Sequence, residues 1–312
     1  TSNQIGIDEE ITSYPTWDFG NGKENRVTGV LTLAQLEARV RSVLNQPNFN
    51  IPKSSTPFIA ELLPVNVGIG SPLMVPIDGY DPNGNPLTIS VTSSNPNLIE
   101  ATVLTGNRSW RLATSFGDMT FQLFEDQAPR PTGRIAELTN SGFYNGITFH
   151  RVEQGFVLQA GDPLANGSGG STLADFDDQF HVDLQHNRSG VLSYAKSNDD
   201  TNDSQFFITA APPRNLDFNH SIFGQMTEGD AIRQAIDRTK TSTVGSGNSA
   251  FQKPTIPITI NTATIFNDTE NGVIQLKQKG TGTGSATITV TVTDSEQRST
   301  SRSFTASVIQ DT

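Results

Sequence analysis

The chain has 312 residues, a net charge of −11 and no cysteine. That length suits about two domains of ordinary size. The lack of cysteine excludes disulfides, thiolate catalysis and cysteine-ligated zinc. The acidic balance without a basic stripe argues against nucleic acid as a partner. Because no apolar stretch approaches the ~20 residues of a membrane span, we expect no membrane insertion.

The polar composition favours β structure with many turns. Charged residues make up only 17% of the chain, whereas Ser, Thr, Asn and Gly are abundant. Such compositions are common in proteins that work outside the cytoplasm, so we expect a periplasmic, surface or secreted location. No signal peptide is visible, and a start at Thr1 rather than Met is compatible with a trimmed form.

Residues 1–54 are expected to form an N-terminal extension with one helix. Thr32 and Gln35 have the spacing of a capping box. Apolar residues follow at helical spacing, namely Leu33, Leu36, Val40 and Leu44. This pattern predicts one amphipathic helix over about residues 32–46.

Two blocks with strand periodicity, residues 55–108 and 268–312, flank the middle of the chain. Leu87–Val91 alternates apolar and polar residues after a turn-rich segment, and apolar residues alternate with threonines over 286–292. Neither block has enough strands for a stable sandwich, but together they supply about seven. The segments DPNGNPLTISVTSSNPNLIEATV and GTGTGSATITVTVTD resemble immunoglobulin-like and cadherin-like repeats of bacterial surface proteins. We therefore expect one discontinuous immunoglobulin-like β-sandwich; two unrelated β extensions are the alternative.

The intervening segment, residues 109–267, carries three long motifs: YNGITFHRVEQGFVLQAGD, GVLSYAKSNDDTNDSQFFIT and NLDFNHSIFGQMTEG. They resemble consecutive signature blocks of the cyclophilin family, in that family's order and at about its spacing. The resemblance implies a closed eight-stranded antiparallel barrel with two helices and a groove on its outer face. It also implies a peptidyl-prolyl cis/trans isomerase that assists the folding of proline-containing protein clients.

Isomerisation makes simple chemical demands. Rotation about an X–Pro bond crosses a barrier of ~18–20 kcal/mol, yet no covalent bond breaks, so we expect no cofactor and no metal. A catalyst must hold the proline ring and favour the twisted amide over both planar forms. A fixed donor aimed at the prolyl nitrogen stabilises the twisted state, and arginine provides such a donor.

The resemblance assigns these tasks to particular residues. Arg151 is the donor, and the other catalytic residues are Gln159, Phe207 and His220. The substrate-binding residues are Phe156, Val157, Ala195, Lys196, Gln205, Leu216 and Asn215. In this assignment the proline pocket is formed by Phe156, Val157, Phe207 and Leu216. Gln159 and Gln205 bind the peptide carbonyl or orient the arginine. Ala195 and Lys196 pair with the substrate through their backbone, His220 borders the pocket, and His150 is structural.

Several positions depart from the family pattern. Members often carry Trp or Phe, a main determinant of cyclosporin binding, at the position of Asn215, so we expect weak cyclosporin affinity. Gly133 should weaken the first helix of the segment, where Ile135 fills the core. The loops 163–189 and 238–253 are expected to be flexible, the second as this chain's own elaboration.

Two segments of the chain are rich in acidic residues. Asn198–Asp203 is rich in carboxylates but does not match an EF-hand, so we expect a solvated turn there and at Asp175, Asp177 and Asp178.

Two other functions remain open: a module that binds proline-containing segments with little turnover, and a structural surface module. The intact arginine and glutamine set favours the enzyme.

Overall fold

The computed structural model describes strands β1 (Thr16–Asp18) and β2 (Arg26–Thr28), residues 56–247 and residues 250–310. β1 and β2 pair antiparallel. The helix predicted at about residues 32–46 lies outside the described residues. The described part is mainly β with two α-helices, as expected. None of its helices is both long enough and apolar enough to cross a lipid bilayer.

Six short strands precede the central segment. They are β3 (Phe58–Ile59), β4 (Val65–Gly68), β5 (Leu73–Ile77), β6 (Gly79–Tyr80), β7 (Leu87–Ser93) and β8 (Ile99–Leu104). β7 contains the predicted strand, and its residues alternate in exposure along its whole length. This alternation is the burial pattern of a strand with one face packed and the other toward solvent.

The central segment folds as one large sheet with two helices. Its elements are β9 (Ser109–Thr114), β10 (Gly117–Leu123), α1 (Pro129–Asn140), β11 (Arg151–Glu153), β12 (Val157–Ala160), β13 (Val191–Tyr194), β14 (Phe206–Thr209), β15 (Ile222–Glu228), α2 (Asp230–Asp237), β16 (Thr241–Val244), β17 (Phe251–Pro254) and β18 (Ile260–Phe266). Eight strands form the sheet in the order β11-β12-β14-β13-β15-β10-β9-β18. Neighbouring strands in this order are antiparallel.

The expectation of a closed barrel is wrong in one respect. The edge strands β11 and β18 share no ladder; the segments leading into them meet at a single bridge between Thr148 and Thr259. Three backbone hydrogen bonds of 2.7–2.9 Å join residues 146–149 to 258–260 around that bridge. β11 has only three residues and pairs with β12 alone among the strands of this sheet, so the sheet is open along its other edge.

The buried face of this sheet and the two helices enclose a first core. Its largest fully buried side chains include Trp110, Tyr144 and Tyr194. Ile135 on α1 is fully buried there, which confirms the expectation that it fills the core. Gly133, on the same helix, is exposed, and a Cβ there would meet nothing within 4 Å.

Three strands follow the central segment: β19 (Gly272–Gln278), β20 (Gly284–Asp294) and β21 (Ser299–Ile309). They pair with strands made before it. β19 lies between β5 and β8, and β20 lies between β7 and β21. β21 also pairs in parallel with β4. The resulting three-stranded and four-stranded sheets share a second core with side chains from both ends of the described chain.

The two cores meet at strands β5 and β19. Neighbouring residues on β19 divide between them: Val273 belongs to the first core and Ile274 to the second. Met74 on β5 likewise belongs to the first core. Polar contacts surround this junction, and Arg188 Nη1 donates to the Met74 carbonyl at 2.6 Å. The entry and exit of the central segment are adjacent, because Ser109 is paired with Phe266.

Candidate functional site

Three of the predicted catalytic residues form one row across the sheet. Arg151 on β11 is opposite Gln159 on β12, and Gln159 is opposite Phe207 on β14. Directly paired residues project from the same face of a sheet. Phe206 and Ile208, the neighbours of Phe207, are fully buried in the first core, so the row projects from the outer face. The strand register therefore gathers these side chains outside the core.

A chain of hydrogen bonds links the arginine to the two glutamines. Arg151 Nη1 donates to Gln159 Oε1 at 3.2 Å, and Gln159 Nε2 donates to Gln205 Oε1 at 2.8 Å. Gln205 Nε2 donates in turn to the carbonyls of Gly167 and Gly169, at 3.2 and 2.8 Å. Because each amide oxygen accepts from the preceding residue, both amide orientations are determined by the chain.

The guanidinium keeps several donors available. Its Nε donates to Glu153 Oε1 at 3.2 Å, and one Nη1 hydrogen goes to Gln159. A guanidinium has five N–H groups, so three remain without a partner among the described residues. The arginine side chain is 34% exposed. It can therefore donate to a ligand that approaches the outer face.

The predicted apolar residues differ in burial. Phe207 and Val157 are buried, whereas Phe156 and Leu216 are half-buried. Leu216 ends a short 3₁₀-helix (Arg214–Leu216). Asn215, in the middle of that turn, is exposed. Aromatic and aliphatic walls of this kind suit a small apolar ring.

Two histidines contact the ring of Phe207. The centroid of His220 is 5.4 Å away in an edge-on arrangement, and that of His186 is 5.9 Å away and stacked. His220 Nδ1 lies 2.9 Å from the Tyr194 carbonyl, which can only accept, so Nδ1 carries the hydrogen. Burial lowers the pKa of His220 below its usual value. The neutral ring therefore presents Nε2 as an acceptor.

Ala195 and Lys196 directly follow β13 and make contacts within the protein. The Ala195 N–H already donates to the Gln205 carbonyl at 3.0 Å. Lys196 Nζ contacts Asp178 and also Asp199, the latter at 3.0 Å. The side chains of Lys196 and Asp178 are only 5% and 7% exposed. The lysine thus anchors a loop through its side chain.

This ion pair overturns part of the expectation for the acidic loops. Asp175 and Asp177 are exposed, as predicted. Asp178 is not a solvated residue, because it binds Lys196 and accepts from Asn202 Nδ2 at 2.8 Å. Asn202 is itself fully buried. In the parts of the chain that the structure describes, no group of three or more His, Asp or Glu side chains is arranged to hold a metal ion.

A cavity of about 450 Å³ adjoins the row. Four of the predicted residues line it: Gln159, Ala195, Lys196 and Gln205. The other predicted residues are not part of its lining, namely Arg151, Phe156, Val157, Phe207, Asn215, Leu216 and His220. The Gly167–Gly170 loop forms the opposite wall. The predicted set therefore lies partly in the lining of this cavity and partly outside it.

The loop at 238–253, which was expected to be flexible, contains two short paired strands. Residues 241–244 and 251–254 pair as an antiparallel hairpin, β16–β17, with Thr243 opposite Gln252. Asp162 organises the loop that begins at 163: its carboxylate accepts from the N–H groups of Leu164, Asn166 and Gly167. Both segments are thus tied by specific hydrogen bonds.

Sequence reasoning missed two residues at the site. Glu153 lies two residues after Arg151 on the same strand, so the same-face rule for strands could have identified it. His186 stacks on Phe207 and its Nδ1 lies 3.1 Å from Asp217 Oδ1. No local pattern points to His186, because its contacts are to residues distant in the sequence.

His150 behaves as the structural residue that was expected. It is 1% exposed, and its ring meets that of Phe251 edge-on at 6.1 Å. Burial lowers its pKa to about 4, which keeps the ring neutral. It therefore packs as a buried, neutral ring.

Known proteins share this central segment. The model of the family described as cyclophilin type peptidyl-prolyl cis-trans isomerase/CLD matches residues 110–265. Peptidyl-prolyl cis-trans isomerase-like 1 of Aspergillus fumigatus is 42% identical over 131 residues, which cover 41% of this chain and 81% of that protein. Peptidyl-prolyl cis-trans isomerase ppi1 of Schizosaccharomyces pombe is 42% identical over 135 residues, covering 42% and 87%.

Two further matches differ in how much of the other protein they cover. Mouse peptidylprolyl isomerase domain and WD repeat-containing protein 1 is 41% identical over 129 residues, and this chain spans only 20% of its length. A crystal structure of a Cryptosporidium parvum cyclophilin type isomerase is 32% identical, covers 52% of this chain and 99% of its own, and gives a TM-score of 0.47. The sequence matches carry the conclusion: this chain belongs to the cyclophilin-type peptidyl-prolyl cis-trans isomerase family.

Proposed function

We propose that this isomerase works without covalent chemistry, with Arg151 as the donor that stabilises the twisted prolyl amide. The observation that carries this proposal is the guanidinium itself: two of its N–H groups are held by Glu153 and Gln159, and three have no partner among the described residues. As the amide twists, the prolyl nitrogen regains its lone pair and becomes an acceptor. A fixed cationic donor therefore binds the twisted state more strongly than either planar state.

The proline ring would occupy the apolar surface beside Arg151. Phe207 lies two places from Arg151 in the cross-strand row. Further apolar area would come from Phe156, Val157 and Leu216. His220 borders this surface through its ring contact with Phe207. Gln159 and Gln205 would bind the backbone carbonyl of the substrate and hold the arginine. The partners are then proline-containing segments of other proteins.

The test is the cis/trans exchange rate of short X-Pro peptides, measured by a protease-coupled assay or by NMR exchange. Arg151→Ala should lower kcat/KM about 100-fold, the usual scale for losing one pre-organised donor. Arg108→Ala is the matched control, since Arg108 is a similarly exposed arginine paired with Glu125, with its Nη2 2.6 Å from Oε1. An intact protein without activity on several peptides would favour a proline-segment binder or a structural surface module instead.

For the flanking segments we propose one discontinuous immunoglobulin-like unit, residues 55–108 and 268–312, around the isomerase segment 109–267. The shared second core and the adjacency of Ser109 and Phe266 support this division. Leu276→Ala on β19 should reduce amide-exchange protection in β5, β8 and β19 together, because all three strands form one sheet. Independent loss of protection in single strands would contradict a common unit.

Two further expectations remain proposals. Weak cyclosporin binding is supported by the exposed, polar Asn215 on the rim of the apolar surface. A location outside the cytoplasm is supported by a chain of 312 residues without cysteine and with few charges. Fractionation of cells that express the full-length gene tests the location directly.

A further inference from the structure

We propose that Glu153 and three consecutive residues of β17, Phe251–Lys253, form a brace that positions Arg151 for catalysis. The proposal rests on the proposed role of Arg151. The brace segment is Phe251–Lys253. Each of them contacts a different part of the site, and none of them is among the residues expected to bind substrate.

The central contact is a shared carboxylate oxygen. Glu153 Oε1 accepts from Arg151 Nε at 3.2 Å and from the backbone N–H of Gln252, also at 3.2 Å. The Glu153 side chain is 26% exposed, so its pairing is partly shielded from solvent. The hairpin therefore holds the carboxylate, and the carboxylate holds the Nε edge of the guanidinium.

The other two residues of the brace segment bind on either side of this contact. The ring of Phe251 meets His150, the residue immediately before Arg151. Lys253 Nζ donates to the Ala165 carbonyl at 2.9 Å. That carbonyl belongs to the loop whose Gly167 and Gly169 accept from Gln205. The hairpin thus links both ends of the arginine–glutamine chain.

The orientation of an arginine matters because its side chain has many rotamers. With Nε bound by Glu153 and Nη1 bound by Gln159, the guanidinium plane is determined by two contacts at different edges. The remaining N–H groups then project in one direction. A displacement of about 1 Å at a catalytic group can lower a rate about 100-fold, so loss of one contact should be measurable.

The first experiment compares Glu153→Ala and Glu153→Gln in the full chain. Glu153→Ala should lower kcat about 10-fold and change KM less than about twofold, because the apolar surface is untouched. Glu153→Gln keeps an acceptor oxygen and should retain at least about half of kcat. Glu125→Ala is the control, since Glu125 is similarly exposed and pairs with Arg108 away from the site. Equal kcat for Glu153→Ala and the wild type would overturn the proposal.

The second experiment separates the hairpin from the carboxylate. Gln252→Pro removes the N–H that binds Glu153, whereas Gln252→Ala keeps it. We expect Gln252→Pro to lower kcat and Gln252→Ala to change it little. Equal effects of the two substitutions would refute the contribution of the hairpin.

NMR of the Arg151 Nε–H distinguishes failure of this proposal from failure of the proposed function. In the wild type its exchange with water should be slow, and Glu153→Ala should accelerate it about 10-fold or more. An unchanged exchange rate overturns the brace whatever the kinetics show. If the exchange responds as expected but Arg151→Ala stays active, the proposed role of Arg151 is wrong, and with it the catalytic purpose of the brace.

Discussion

The ion pair between Lys196 and Asp178 gives a quantitative prediction about stability. Replacing Lys196 by Met removes the charge and keeps a side chain of similar length. The substitution leaves Asp178 7% exposed without its cation. Because an unpaired buried carboxylate must either be hydrated or bind a proton, the free energy of unfolding should fall.

The expected size follows from the contacts that remain. Loss of one partner from a buried pair typically costs about 3–5 kcal/mol. Asp178 would keep its hydrogen bond from Asn202 Nδ2 at 2.8 Å, which places the expected loss at about 3 kcal/mol, the low end of that range. The pair holds the pKa of Asp178 below and that of Lys196 above their usual values. The wild-type advantage should therefore be lost as the pH falls through the lowered pKa of Asp178.

Urea unfolding, followed by the fluorescence of the fully buried Trp110, measures this loss. The control is Lys279→Met, which breaks a pair of 3.1 Å with Glu100 whose side chains are 50% and 44% exposed. Such exposed pairs contribute about 0–1 kcal/mol. The reasoning is refuted if both substitutions cost the same. A double variant that also carries Asp178→Asn should recover much of the loss, because no buried charge then remains.

Three further outcomes are expected. Gly133→Ala should raise the free energy of unfolding by about 0.5–1 kcal/mol, whereas Gly161→Ala should lower it by more than about 1 kcal/mol. The contrast arises because Gly161 has a φ of +90° and its Cβ would lie 2.2 Å from the Ser204 carbonyl; urea midpoints that move in the same direction would contradict it. Burial and neighbouring carboxylates raise the pKa of Asp78 to about 7. The proton is thus favoured in the folded state, so this stabilisation is complete below the unfolded value of about 4 and is lost as the pH rises through about 7. Urea midpoints between pH 4 and pH 8 should depend less on pH in Asp78→Asn than in the wild type. An unchanged dependence would show that Asp78 does not cause the loss of stability. Asn215→Trp should strengthen inhibition by cyclosporin at least ~10-fold, since an aromatic ring adds apolar contact; equal inhibition would show that this position does not limit binding.

Local periodicity was enough to predict several elements. The alternation of Leu87–Val91 predicted a strand, and β7 spans Leu87–Ser93. The alternation over residues 286–292 predicted another, and β20 spans Gly284–Asp294. In each case the signal and the structure lie within one element, so no distant contact was needed.

The contacts that were missed join residues far apart in the chain. Lys196 and Asp178 are charged residues in polar loops, which locally resemble solvated turns, and only the fold brings them together and buries them. The hairpin β16–β17 is rich in Ser and Thr and lacks apolar alternation, so periodicity gave no strand signal there. The row of Arg151, Gln159 and Phe207 came from family resemblance, because strand register depends on pairing partners that sequence spacing does not specify.

Strand β19 has a consequence for the order in which the chain can fold during synthesis. Its neighbouring residues Val273 and Ile274 belong to different cores, and it fills the place between β5 and β8. The ribosome releases the whole of residues 109–267 before this strand emerges. β5 and β8 therefore lack the partner between them until β19 emerges, and the second core is completed only after β20 and β21 have also been made. A chain stalled before residue 272 would expose apolar strand edges, which makes the final part of translation the period of greatest risk of aggregation.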